Sequence, residues 1–114
     1  MKILHVIERT DHNGCATHLL QLTRFLDYNE FENIIVCLSN GILTDQLEQM
    51  NVRFTVLDRS SYSSLAIARR ISSLAEKLQV DIVHCHDKVS ANLSLLATSM
   101  LKLPFVYNVQ CWSH

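Results

Sequence analysis

Turn-forming residues are nearly missing from this sequence: two glycines and one proline stand among 114 residues. That is too few for a turn-rich β-sandwich or a low-complexity chain. Charge is scarce as well. Charged residues make up 18%, and ten Lys+Arg against eleven Asp+Glu leave a net charge of -1. Such a balance carries no electrostatic footprint for nucleic acid. Hydrophobic residues, at 48%, exclude intrinsic disorder. The four cysteines, Cys15, Cys37, Cys85 and Cys111, are far apart and include no Cys-x-x-Cys pair. Cys37 and Cys85 sit inside apolar runs, where a free thiol behaves as a small hydrophobe. All four are therefore expected to be reduced. No apolar stretch approaches the roughly 20 residues of a membrane span. The start, Met1 to Ile7, is too short for a signal peptide and lacks a small-residue cleavage site. The expected setting is cytosolic, with peripheral membrane contact left open. A chain of this length buries about two-thirds of its unfolded surface, enough for one core. The expected organisation is one domain over residues 1–114.

What is present alternates between two periods. Apolar runs at Ile3–Ile7 and Ile34–Leu38, the alternating Val52, Phe54 and Val56, a run from Ile82 to Cys85, and Phe105–Tyr107 after Pro104 read as strands. Between them, Leu19, Leu22 and Leu26, then Leu43, Leu47 and Met50, then Ile67, Ile71, Leu74 and Leu78, then Leu93, Leu96 and Met100 recur at helical spacing. Ser90 stands before the last of these as an expected cap. Strand–helix repetition of this kind predicts an α/β fold, a Rossmann-like doubly wound parallel sheet. The runs at Ile3 and Ile34 do not alternate, so both their faces should be covered. The run at Val52 alternates, as an edge strand does. Right-handed crossovers then give the strand order 3-2-1-4-5.

In open sheets of this class, ligands bind beyond the carboxyl ends of the strands, at the switch in strand order. The loops there are Glu8–Gly14 and His86–Ser90, joined by the end of the fifth strand. Asn13-Gly14 directly precedes a helix, whose N-terminal N–H groups suit a phosphate. The plain alternative is a turn and a helix start. A nicotinamide site would want an acid at the end of the second strand. That strand ends Cys37-Leu38-Ser39-Asn40, which argues against a dehydrogenase. A receiver domain would need a lysine after the fifth strand, where Gln110 and Cys111 stand.

His84-Cys85-His86 is the densest chemical cluster. On a strand His84 and His86 share a face. They could hold a metal, with His12 as a further ligand, but no third ligand stands at recognisable spacing. The expectation is no metal, with His84 packed within the sheet and His86 turned toward the ligand crevice to bond a sugar hydroxyl or a phosphate.

Several of these segments together resemble a known family. Met1–Ile7, the loop Asn13-Gly14-Cys15-Ala16 running into His18–Leu22, the block Asp81-Ile82-Val83-His84-Cys85-His86 and Leu103-Pro104-Phe105-Val106-Tyr107 resemble the N-terminal, acceptor-side domain of family-4 glycosyltransferases. The likeness runs along essentially the whole chain, and the Asp81–His86 block is its most specific piece. It implies one half of a GT-B fold, two Rossmann-like domains facing across a cleft. It also implies transfer of a sugar from a nucleotide-sugar donor to a glycan or lipid-linked acceptor, with retention of configuration and no bound metal or other cofactor. Asn13, Gly14, Cys15, His86 and Asp87 are then expected at donor phosphates and acceptor.

Two departures stand out. The family's Gly-Gly-Ala-Glu is Asn13-Gly14-Cys15-Ala16-Thr17 here. The family's Thr-x-His-Gly at the end of strand five is Asn108-Val109-Gln110-Cys111, so Gln110 takes the place of a histidine near the reacting sugar. Glutamine can hydrogen-bond but cannot carry a proton. The family's C-terminal donor-binding domain, with its basic residues and paired glutamates, is not among these residues. It would act in cis or in trans, and this chain alone is expected to be inactive. Family members often build surface polysaccharides at the inner membrane face. A non-catalytic subunit paired with a separate donor domain and an unrelated small α/β binding domain remain as alternatives.

Overall fold

The computed structural model describes residues 1–8, 10, 17, 19–21, 32–101 and 105–107. Its elements are β1 (Lys2–Ile7), β2 (Glu32–Cys37), α1 (Ile42–Gln49), β3 (Phe54–Val56), α2 (Ser64–Lys77), β4 (Ile82–Cys85), α3 (Lys88–Leu101) and β5 (Phe105–Tyr107). Residues 17 and 19–21, between β1 and β2, are also helical. The five strands form one sheet in the order β3-β2-β1-β4-β5. Every neighbouring pair is parallel. This is the doubly wound order expected from the strand–helix alternation, with β3 at an edge.

Two apolar layers sandwich the sheet. On one face Leu4, Val6, Ile34, Val36, Val83 and Cys85 pack against Ile67, Ala68 and Ile71 of α2 and Ala91, Leu93 and Ala97 of α3. On the other, Ile7, Ile35 and Cys37 pack against Leu19 and against Leu43 and Leu47 of α1. The alternating parity of β1 and β2 feeds both layers, so the two strands lack polar–apolar alternation. Truncating one of the fully buried side chains, such as Ile71→Ala, removes about 2–5 kcal/mol.

The scarcity of glycine shows at the helix ends. In α1 the amide of Val52 reaches the carbonyl of Leu47 and that of Asn51 reaches Glu48. In α2 the amide of Val80 reaches Ala75 and that of Gln79 reaches Glu76. Both are Schellman closures, which usually place glycine in the left-handed region. Here Asn51 (φ 58°) and Gln79 (φ 55°) occupy it. At the other end of α2, the Ser63 hydroxyl accepts from the Ala66 amide at 3.2 Å, a cap contributing about 1 kcal/mol.

The last helix departs from the sequence reading. Asp87, rather than Ser90, caps α3. The Asp87 carboxylate accepts from the Ser90 amide at 3.0 Å, and the Ser90 hydroxyl accepts from the Asp87 amide at 3.2 Å. This reciprocal box starts the helix at Lys88. Its buried face is Ser90, Ala91, Leu93, Ser94 and Ala97, while Leu96 is 47% exposed. Small residues set the stripe because they let α3 lie close to the sheet, and a leucine periodicity alone does not find it.

Candidate active-site rim

Four loops meet at the carboxyl end of the sheet, and polar contacts lace them together. The Glu8 amide, just after β1, donates to the Asp87 carboxylate after β4 at 2.8 Å. The Ser39 hydroxyl, just after β2, donates to the Glu8 carbonyl at 2.7 Å and lies 2.9 Å from the Thr10 hydroxyl. The Thr10 carbonyl accepts from the Leu43 amide at 2.9 Å. Arg59, after β3, reaches the Glu8 carboxylate at 3.3 Å. That pair is partly exposed, and such pairs contribute little, about 0–1 kcal/mol. The rim is fixed chiefly by the buried Asp87–Ser90 bonds and the partly buried bonds through Glu8 and Ser39.

Asp87 is the hub. It is 3% exposed, and its two carboxylate oxygens accept from the Glu8 and Ser90 amides. Hydrogen bonds from backbone N–H groups to a carboxylate are charge-assisted and stronger than neutral ones. The charge of Asp87 also helps to raise the thiols of Cys37 and Cys85, although burial is the larger cause; each is pushed up to about 12. Both cysteines are free, and they lie in opposite apolar layers. Cys15 and Cys111 lie outside the described residues.

Behind this rim, three histidines share one face. The amide of His86 donates to the Val6 carbonyl at 3.0 Å, which carries the β1–β4 ladder one residue past β4. His5 of β1 pairs in register with His84 of β4. His5 Nδ1 lies 3.0 Å from His86 Nε2, and His5 Nε2 lies 2.8 Å from Asn33 Oδ1 of β2. The rings of His84 and His86 stack at 4.2 Å with 29° between their planes. His5 and His86 are fully buried, and His84 is half-buried.

The ligand atoms of His5, His84 and His86 lie within 4.8 Å of one another. A metal, however, binds each imidazole nitrogen in the plane of its ring, at about 2.0–2.1 Å for zinc. Stacked rings keep their planes from meeting at that range. As placed, the three rings form a stacked and hydrogen-bonded imidazole cluster.

Of the residues singled out from sequence, His86 and Asp87 come together at the end of β4. The ring of His86 sits on the buried face with His5, and Asp87 directs its oxygens at backbone amides. Asn13, Gly14, Cys15 and Gln110, like His12, lie outside the described residues. Sequence reasoning missed His5, Asn33, Thr10, Ser39 and Gly41. His5 is hidden inside an apolar run, and only the β1–β4 register reveals that it stands beside His84.

Among the described residues, no helix is long and apolar enough to cross a membrane. No curated protein sequence matches the chain. Solved structures do match its fold. Anabaena HepE in complex with UDP superposes with a TM-score of 0.78 at 18% identity, over 94% of this chain and 29% of that one. A glycosyltransferase from Rickettsia africae gives 0.77 at 23% identity, over 93% of this chain and 28% of that one. MurG of Acinetobacter baumannii gives 0.77 at 15% identity, over 93% of this chain and 34% of that one. The chain thus spans about a third of each of these three structures, and its fold is that of the N-terminal half of a GT-B glycosyltransferase. The profile of the family described as Glycosyltransferase Family 4 matches residues 12–113. The chain belongs to glycosyltransferase family 4.

Proposed function

We propose that this chain is the acceptor-side domain of a retaining glycosyltransferase that moves a sugar from a nucleotide-sugar donor to a glycan or lipid-linked acceptor. The family match over residues 12–113 carries this reading. The rim supports it, since the loops after β1, β2, β3 and β4 are tied into one surface where a doubly wound sheet receives its ligand. HepE, one of its structural neighbours, is seen with UDP, in keeping with a nucleotide-sugar donor.

The donor is held by a second, C-terminal half, joined in cis or in trans. Residues 1–114 make up a single domain that supplies the other wall of the cleft. Asn13, Gly14 and Cys15 lead into the first helix and approach the donor phosphates. Gln110 and His86 contact hydroxyls near the reacting sugar, and Asp87 ties the loop after β1 to the start of α3 beside His86. For His86 this requires the acceptor to reach a ring that is buried in the described structure. Transfer proceeds without a bound metal, because charge developing on the leaving diphosphate is stabilised by the donor half's basic groups. The setting is the cytoplasm, at the inner membrane face when the acceptor is lipid-linked.

The test is a transfer assay with a panel of nucleotide sugars. With its donor-binding half present, the chain should support transfer to a glycan or lipid-linked acceptor. The chain alone should give no turnover above buffer. Robust transfer by the chain alone, or none in the presence of a folded donor half, would contradict the reading.

A further inference from the structure

Two hydrogen bonds run in series across three neighbouring strands. Asn33 Oδ1 meets His5 Nε2 at 2.8 Å, and His5 Nδ1 meets His86 Nε2 at 3.0 Å. An amide oxygen only accepts, so the proton of the first bond sits on His5 Nε2. A neutral imidazole carries one N–H, which leaves His5 Nδ1 as an acceptor. The second bond then takes its proton from His86 Nε2. By the same rule, Nδ1 of neutral His86 carries no proton.

We propose that Asn33 and His5 are positioning residues that hold His86 as its Nε2–H tautomer, so that Nδ1 of this buried ring is an acceptor and not a donor. The proposal rests on the reading of His86 as an acceptor-side contact. It narrows the chemistry of that contact. Nδ1 takes a hydrogen bond from an alcohol hydroxyl and has no proton to give a phosphate oxygen. His86 therefore serves a sugar hydroxyl of the acceptor, while the donor's diphosphate is left to backbone N–H groups. The orientation of one side-chain amide decides this. With the NH2 group of Asn33 toward His5, every bond in the series would reverse and Nδ1 of His86 would carry the proton.

Nitrogen NMR of the folded chain, isotope-labelled at histidine, reads the answer directly, because protonated and bare ring nitrogens resonate at well-separated positions. His5 and His86 should both show a protonated Nε2 and a bare Nδ1. Asn33→Leu, close in size, should abolish the single tautomer and give His86 a mixture of both. A protonated Nδ1 on His86 in the unsubstituted chain, an imidazolium at His5 near neutral pH, or an unchanged His86 spectrum in folded Asn33→Leu would each overturn the proposal. If the variant does not fold, the unsubstituted spectrum still decides. No transfer assay enters this measurement, so a wrong tautomer leaves the proposed reaction standing, and a failed transfer assay leaves the spectrum unmoved.

Discussion

Gly41 lies directly against Thr10: a Cβ added to the glycine would stand 2.7 Å from both the carbonyl oxygen and the hydroxyl oxygen of Thr10. The loop after β2 and the loop after β1 thus meet at a point with no room for a side chain. Gly41 is in an extended conformation, φ 179°, so the requirement is space and not backbone angle. Gly41→Ala should push the two loops apart and cost about 1–3 kcal/mol, as overpacking does. Urea denaturation should show a lower midpoint with an unchanged slope. An unchanged midpoint would mean that the Thr10 loop shifts freely.

Asp87 should behave as a structural tie between the loop after β1 and the start of α3. Asp87→Ala leaves the partly buried amide of Glu8 and the buried amide of Ser90 without their carboxylate and removes the cap of α3. Bonds to charged groups contribute about 1.5–3 kcal/mol each, and contributions of this kind are not strictly additive. A loss of about 2–4 kcal/mol is expected, with Asp87→Asn intermediate because it keeps one accepting oxygen. Thermal melting of the three proteins checks the order. A fully stable Asp87→Ala protein would show that the rim is held elsewhere.

The sheet was readable because both of its signals are local. Continuous apolar runs at Ile3 and Ile34 declare buried strands, and the alternation at Phe54 declares an edge. The strand order followed from handedness alone. The rim was less readable, because its members converge from separate segments. Nothing near Ser39 in sequence announces a bond to Glu8, and nothing near Asn33 announces His5. The His84/His86 pair could be seen as one face of a strand. Its third member needed the register that sets His5 beside His84. The leucine spacing marked α3 as a helix, but its buried face also takes in Ser90, Ser94 and Ala97 beside Leu93, and hydrophobic periodicity passes over serine.

Cys37 and Cys85 should be inert toward alkylation in the folded protein. Burial raises both thiols to about 12 from an ordinary value of 9.0, and the thiolate is the reactive form. The fold favours the protonated thiols, so their contribution to stability is fully present below about pH 9 and is lost as pH rises toward 12. At pH near 8, alkylation followed by peptide mapping should leave both residues unmodified until denaturant is added. Rapid native labelling of either would contradict the burial described here.

The most direct test of the acceptor-side assignment is a domain exchange. Residues 1–114 would replace the N-terminal half of a family-4 enzyme whose donor and acceptor are both defined, and the chimera would be assayed against panels of each. If this chain forms the acceptor wall, acceptor preference should change with it while nucleotide-sugar preference stays with the C-terminal half. A chimera that keeps the parent's acceptor and changes its nucleotide sugar would contradict the account.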